Sequence, residues 1–208
     1  MEGSNFRYNN YLMPIFVDNF NWMLLNVTLA FIPLLLAGFL RRKMKFAVYV
    51  ALLLMWIFFL PNTIYLITDM QYFPGQFIKV GLAEQVALFI QYILLTFLGI
   101  FTYFYGLDPI ERAAREHKLS PVTKNTMYIA LNFVVAFAVI LGKVQRTHSW
   151  YLVTDTTRVI WDIYRTITTP SLVMWVVAIG VLINVIFFTT HHYFFKISLG
   201  ETRKKKYN

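Results

Sequence analysis

The chain is 208 residues long, 58% apolar, 18% aromatic and only 14% charged, with a formal net charge of +9 and no cysteine. Soluble domains carry roughly 25% charged residues, so this chain lacks the polar surface to cover a water-soluble globule. The absence of cysteine excludes disulfides, thiolate nucleophiles, iron–sulfur clusters and cysteine-ligated zinc.

The first apolar run covers about 20–40 and holds Asn26 and Pro33 before stopping at Arg41-Arg42-Lys43. No basic segment precedes it and no small-residue cleavage site follows, so no removable signal peptide is expected. The second run begins at Phe46 and is uninterrupted as far as Leu60. At ~1.5 Å per residue that stretch is too short for a ~30 Å hydrocarbon core. Its helix is therefore expected to continue through the helix-breaking Pro61 to about residue 66. Gln71-Tyr72-Phe73-Pro74-Gly75 then reads as a turn. A third span is expected at about 81–106, with Glu84 at its start and Gln91 inside. Pro109 and Pro121 bracket a short charged helix.

A fourth span is expected at about 125–142 and a fifth at about 170–190, with a basic carboxyl-terminal tail over 196–208. Between these two spans Asp155, Arg158, Asp162 and Arg165 recur at intervals of three and four. That spacing puts all four on one helical face, with Ile160, Tyr164 and Ile167 largely opposite. A helix over about 149–168 is expected to lie along the membrane surface. The fold class is thus an all-α integral membrane protein, with residues 1–208 as a single polytopic membrane domain. It is read as a bundle of about five transmembrane helices plus an interfacial amphipathic helix between the fourth and fifth spans.

Orientation follows from lysine and arginine. The segments around Arg41, around Arg112 to Lys124, and after Lys196 hold most of the nineteen basic residues. All three lie on the same side in this topology, which places the amino terminus outside and the carboxyl terminus in the cytoplasm. The tail at Arg203 to Lys206 reads as an anchor to anionic lipid headgroups. No nucleic-acid partner is expected, because the positive charge follows the topology.

Each span carries one carboxamide: Asn26, Asn62, Gln91, Asn132 and Asn184. Interhelical hydrogen bonding explains such groups in general. Asn62 differs, because Pro61 removes a backbone donor beside it. From Asn62 one helical face continues through Tyr65 to Asp69, toward the outer leaflet. Ionisable groups at membrane depth face the bundle interior or water and are functional candidates by default. Glu84 enters the next span at similar depth, and Arg146-Thr147-His148-Ser149-Trp150 follows the fourth span on the same outer side. A histidine there is able to act as a base or ligand, yet no metal-binding spacing is present, and no metal or cofactor is expected. His191-His192 lies at the inner end and is set aside. The candidate polar pocket is therefore Asn62, Tyr65, Thr68, Asp69, Glu84, Arg146, His148, Ser149, Trp150 and Asp155.

The run Leu60-Pro61-Asn62-Thr63-Ile64-Tyr65-Leu66-Ile67-Thr68-Asp69 resembles the signature Leu-Pro-Asn-x-x-Tyr-x-x-Thr-Asp of the bacterial membrane proteins grouped as domain-of-unknown-function family 1361. That family's second signature, Arg-x-Asn-Ser-Trp-Asp, is similar to Arg146 to Tyr151. This chain departs from it with His148 for the asparagine and Tyr151 for the aspartate, so either Asp155 substitutes or the site is altered. The resemblance spans most of the chain and implies a small polytopic protein of a bacterial cell membrane. It flags Pro61, Asn62, Tyr65, Thr68 and Asp69, then Arg146, Ser149 and Trp150.

The leading expectation is a non-catalytic protein with an extracytoplasmic-facing pocket for a small ligand, a lipid headgroup or another membrane protein. An enzyme acting on a lipid-linked or cell-envelope substrate is the alternative, with Asp69 or His148 as base and Arg146 gripping an anionic group. A permease component comes third, because five spans with one broken helix do not form two inverted repeats.

Overall fold

The computed structural model describes residues 12–146 and 151–204. Every regular element among them is helical, in the order α1 (Leu12–Phe39), α2 (Phe46–Phe59), α3 (Pro61–Thr68), a 3₁₀ turn (Asp69–Tyr72), α4 (Phe73–Phe77), α5 (Leu82–Gly106), α6 (Asp108–Glu116), α7 (Pro121–Val144), α8 (Tyr151–Thr154), α9 (Thr156–Thr168) and α10 (Pro170–Lys204). Five helical stretches are long and apolar enough to cross a membrane: Asn19–Phe39, Phe46–Phe77, Leu82–Glu116, Pro121–Val144 and Pro170–His191. The protein is an all-α, multi-pass membrane protein.

The described chain divides into two compact units, residues 1–109 and 110–208. In the first, α1 packs against α2, α3 and α5, and α3 lies along α5. Met23, Ala30, Leu66, Leu88, Tyr92 and Leu95 form its core. Gly99 sets the α3–α5 approach, because a Cβ there would stand 2.8 Å from the Thr63 carbonyl oxygen. At the carboxyl-terminal end of α5 the Trp56 indole donates to the Gly106 carbonyl at 2.7 Å, which satisfies a buried group that would otherwise cost about 1–3 kcal/mol. In the second unit α7 packs along α10, and α9 lies against both.

The proline break behaves locally as the chemistry of proline requires. Leu60 stays in the right-handed helical region, so the chain runs from α2 into α3 with Pro61 at the first helical position, where its missing N–H is harmless. The Thr63 amide shortens its bond to the Leu60 carbonyl at 3.1 Å. Asn62 Nδ2 then takes the Phe59 carbonyl at 2.9 Å.

Three local expectations need correction. The stretch Gln71 to Gly75 is helical rather than a turn: Pro74 sits in the first turn of α4, and no glycine among the described residues has a positive φ. The fourth span starts earlier than residue 125, at Pro121, because Ser120 accepts from the Thr123 amide at 3.1 Å and caps the helix. The surface helix is split at Asp155, whose φ of −152° interrupts it and makes it the N-cap of α9.

The two faces of α9 differ in exposure. Val159, Asp162 and Thr166 are buried, whereas Ile160 and Trp161 are 63% and 64% exposed and Tyr164 and Ile167 are exposed with them. The apolar side faces outward, as it does on a helix lying in a lipid interface. Asp162 is held on the inner side by Arg158, 3.8 Å away.

Candidate polar site

The first unit gathers a polar cluster where α3 ends. Asp69 is the C-cap of α3 and is only 2% exposed. A buried carboxylate needs hydrogen-bond donors, and Asn26 Nδ2 on α1 supplies one, 2.9 Å from Asp69 Oδ2. Tyr65, one turn earlier, and Tyr92 on α5 lie within the electrostatic reach of the same carboxylate.

A second group of polar side chains in this unit was not anticipated. The carboxamides of Asn19 and Gln76 form a reciprocal pair, each donating to the other at 2.8 Å. Trp22 Nε1 donates to Asn19 Oδ1 at 3.1 Å and the Tyr92 hydroxyl to Gln76 Oε1 at 3.1 Å. Asn19, Trp22 and Asn26 recur at spacings of three and four, so they share the inward stripe of α1. That spacing was the available signal. Gln76 directly follows the stretch read as a turn.

The remaining sequence candidates of this unit are held by their own helices. Asn62 is bonded to the Phe59 carbonyl, and Thr68 Oγ1 donates to the Tyr65 carbonyl at 3.0 Å. Glu84, in the first turn of α5, folds back so that its Oε2 would lie 2.7 Å from a Cβ placed on Gly81. Glycine at that N-cap leaves room for the carboxylate, which favours the positive end of the helix dipole. Gln91 Oε1 and Thr96 Oγ1 of α5 are buried without a hydrogen-bond partner.

In the second unit Arg146 is exposed and takes a left-handed φ of 55° directly after the Gln145 cap of α7. Asp155 is an exposed helix cap, its Oδ1 accepting from the Arg158 amide at 3.1 Å. His148, Ser149 and Trp150 lie outside the described residues. The carboxamides of Asn132 and Asn184 join α7 to α10 at 2.9 Å.

His191, set aside on sequence grounds, joins a buried network in the second unit. Its Nε2 lies 3.2 Å from Glu111 Oε1, which also binds Lys124 Nζ at 2.8 Å and the Tyr128 hydroxyl. Glu111 on α6 and His191 on α10 stand eighty positions apart in the sequence, so tertiary packing brings them together.

Among the described residues no group of three or more histidine, aspartate or glutamate side chains is placed to hold a metal ion. No curated protein and no solved structure matches the chain. The proline-broken helix that ends on a buried aspartate carries the first of the two signatures noted above. The family described as Protein of unknown function (DUF1361) matches residues 25–186, and the chain belongs to that family.

Proposed function

We infer that the protein is a non-catalytic binding component of a bacterial cell membrane, its amino terminus outside and its carboxyl terminus cytoplasmic. The polar end of α3, with Asn62, Tyr65, Thr68, Asp69 and Glu84, forms an extracytoplasmic site within the first unit. That site receives a small ligand, a lipid headgroup or a second membrane protein. One observation carries this reading: the Asp69 carboxylate is buried within a helical stretch long and apolar enough to cross a membrane, and is bonded to a carboxamide from another span. A buried acid there is expensive unless it has a role, and lipid-facing packing alone gives no reason to keep it.

The test is native mass spectrometry of the protein extracted in mild detergent. A bound lipid, small molecule or subunit that is retained by the native chain and lost on Asp69→Asn supports the reading. A native chain that carries nothing, and whose behaviour in membranes is unchanged by Asp69→Asn, rules it out. Loss of a turnover reaction in Asp69→Asn, with folding and insertion intact, would instead favour the enzyme alternative.

A further inference from the structure

The second unit contains an open groove of about 490 Å³ between α7 and α10, lined by Ile129, Phe133, Val181, Val185 and Phe188 with the polar Asn184 and Thr189. Its size lies within the ~300–1,000 Å³ of ordinary ligand sites, and its walls are almost wholly apolar. From Val181 to Thr189 the α10 side advances eight residues, roughly 12 Å at ~1.5 Å per residue. That is close to the depth of one leaflet, half of a ~30 Å hydrocarbon core.

At one end of this groove the surroundings change from hydrocarbon to charge. His191 follows Thr189 by two residues and Lys124 precedes Ile129 by five, so they stand roughly 3 and 7.5 Å beyond the groove along their helices. Glu111 binds the two of them, at 3.2 and 2.8 Å, and so fixes their level. Their side chains nevertheless remain 25% and 28% exposed. An ammonium has three donors, and Glu111 does not exhaust those of Lys124. The local sequence adds Arg112, Arg115 and Lys118 against Glu111 and Glu116, and Lys196, Arg203 and Lys204 against Glu201 follow in the sequence. An apolar channel one leaflet deep that ends in excess positive charge has the complementarity of a phospholipid with a negative headgroup.

We propose that this groove holds an acyl chain of one anionic phospholipid, with its phosphate at Lys124 and beside His191. The carboxylate of Glu111 serves as the positioning group: it holds the two basic side chains at the headgroup level while staying buried itself. The assignment is independent of the Asp69 site, which lies in the other unit.

The full chain, purified in mild detergent and offered equal amounts of phosphatidylglycerol and phosphatidylcholine, should retain one phosphatidylglycerol in native mass spectra. The preference over phosphatidylcholine should be roughly five- to tenfold, as one headgroup contact of this kind supplies. Lys124→Gln should abolish the preference, and Val185→Trp, which fills the groove from an exposed position, should abolish retention. Lys124→Gln also takes the ammonium from Glu111, leaving it His191 and Tyr128, so Val185→Trp decides the matter if that variant fails to fold. Equal retention of the two lipids, a preference that survives Lys124→Gln, or an adduct unchanged in Val185→Trp overturns the assignment.

Discussion

Asn26 Nδ2 meets Asp69 Oδ2 at 2.9 Å across forty-three residues of intervening chain. The bond ties the middle of α1 to the last turn of α3 and gives a buried carboxylate a donor from outside its own helix. Removing Asn26 takes one donor away from a buried carboxylate, a loss that typically costs about 1–3 kcal/mol. Asn26→Ala should therefore lower the apparent melting temperature of the detergent-purified protein. Asp69→Asn, which keeps the shape and permits an amide–amide bond, should lower it less. A melting temperature in Asn26→Ala equal to that of the native chain would show that the pair contributes nothing.

The contrast between Gly99 and Gly38 offers a cleaner packing test. Both are helical glycines, where alanine is intrinsically favoured by about 1 kcal/mol. At Gly38 an added methyl meets no heavy atom within 4 Å, whereas at Gly99 it would stand 2.8 Å from the Thr63 carbonyl and 3.0 Å from Leu66 Cβ. Gly38→Ala should leave stability unchanged or raise it slightly. Gly99→Ala must push α5 off the proline-broken helix, and overpacking of that kind costs about 1–3 kcal/mol. Thermal or denaturant unfolding of the two variants side by side should show opposite signs.

Arg146 carries the third prediction. Its φ of 55° puts a branched-free but Cβ-bearing residue where glycine is preferred, at a cost of roughly 1–2 kcal/mol. Arg146→Gly should relieve that strain and raise stability, and Arg146→Ala should not. If the guanidinium holds a ligand, the glycine variant should become more stable while losing whatever copurifies with the native chain. Stability and ligand retention that move together in Arg146→Gly would assign the residue a purely structural role.

Much of this architecture was legible in the chain because it rests on local rules. The apolar runs set the five spans, the brevity of the run from Phe46 to Leu60 demanded continuation through Pro61, and the spacing of Asn62, Tyr65 and Asp69 followed from helical periodicity. What was illegible depended on tertiary packing. Nothing near Glu111 announces that His191, eighty residues on, will share its oxygen. Asn62 looked available because proline removes a donor, yet the shortened Thr63 bond left the Phe59 carbonyl for Asn62 to take. Pro74-Gly75 carries a strong turn signal, and the surrounding aromatic contacts of Phe73 with Phe77 and Tyr92, at 5.0 and 5.4 Å, accompany a helix there instead.

Orientation can be read by labelling, because a chain with no cysteine reports only on the cysteine introduced. Gln76 would be a natural probe for the loop before the third span, but its side chain is committed to Asn19 and Tyr92. Lys79 is exposed three residues further on, and Glu116 is exposed at the end of α6; neither side chain takes part in the hydrogen bonds described above. The excess of basic residues around Arg41, Arg112 to Lys124 and the tail predicts that Glu116 is cytoplasmic. An impermeant maleimide added to intact cells should therefore label Lys79→Cys and leave Glu116→Cys unmodified until the membrane is permeabilised. The reverse pattern would turn the molecule over. The Asp69 end of α3 would then face the cytoplasm, and the basic end of the α7–α10 groove would meet the outer leaflet.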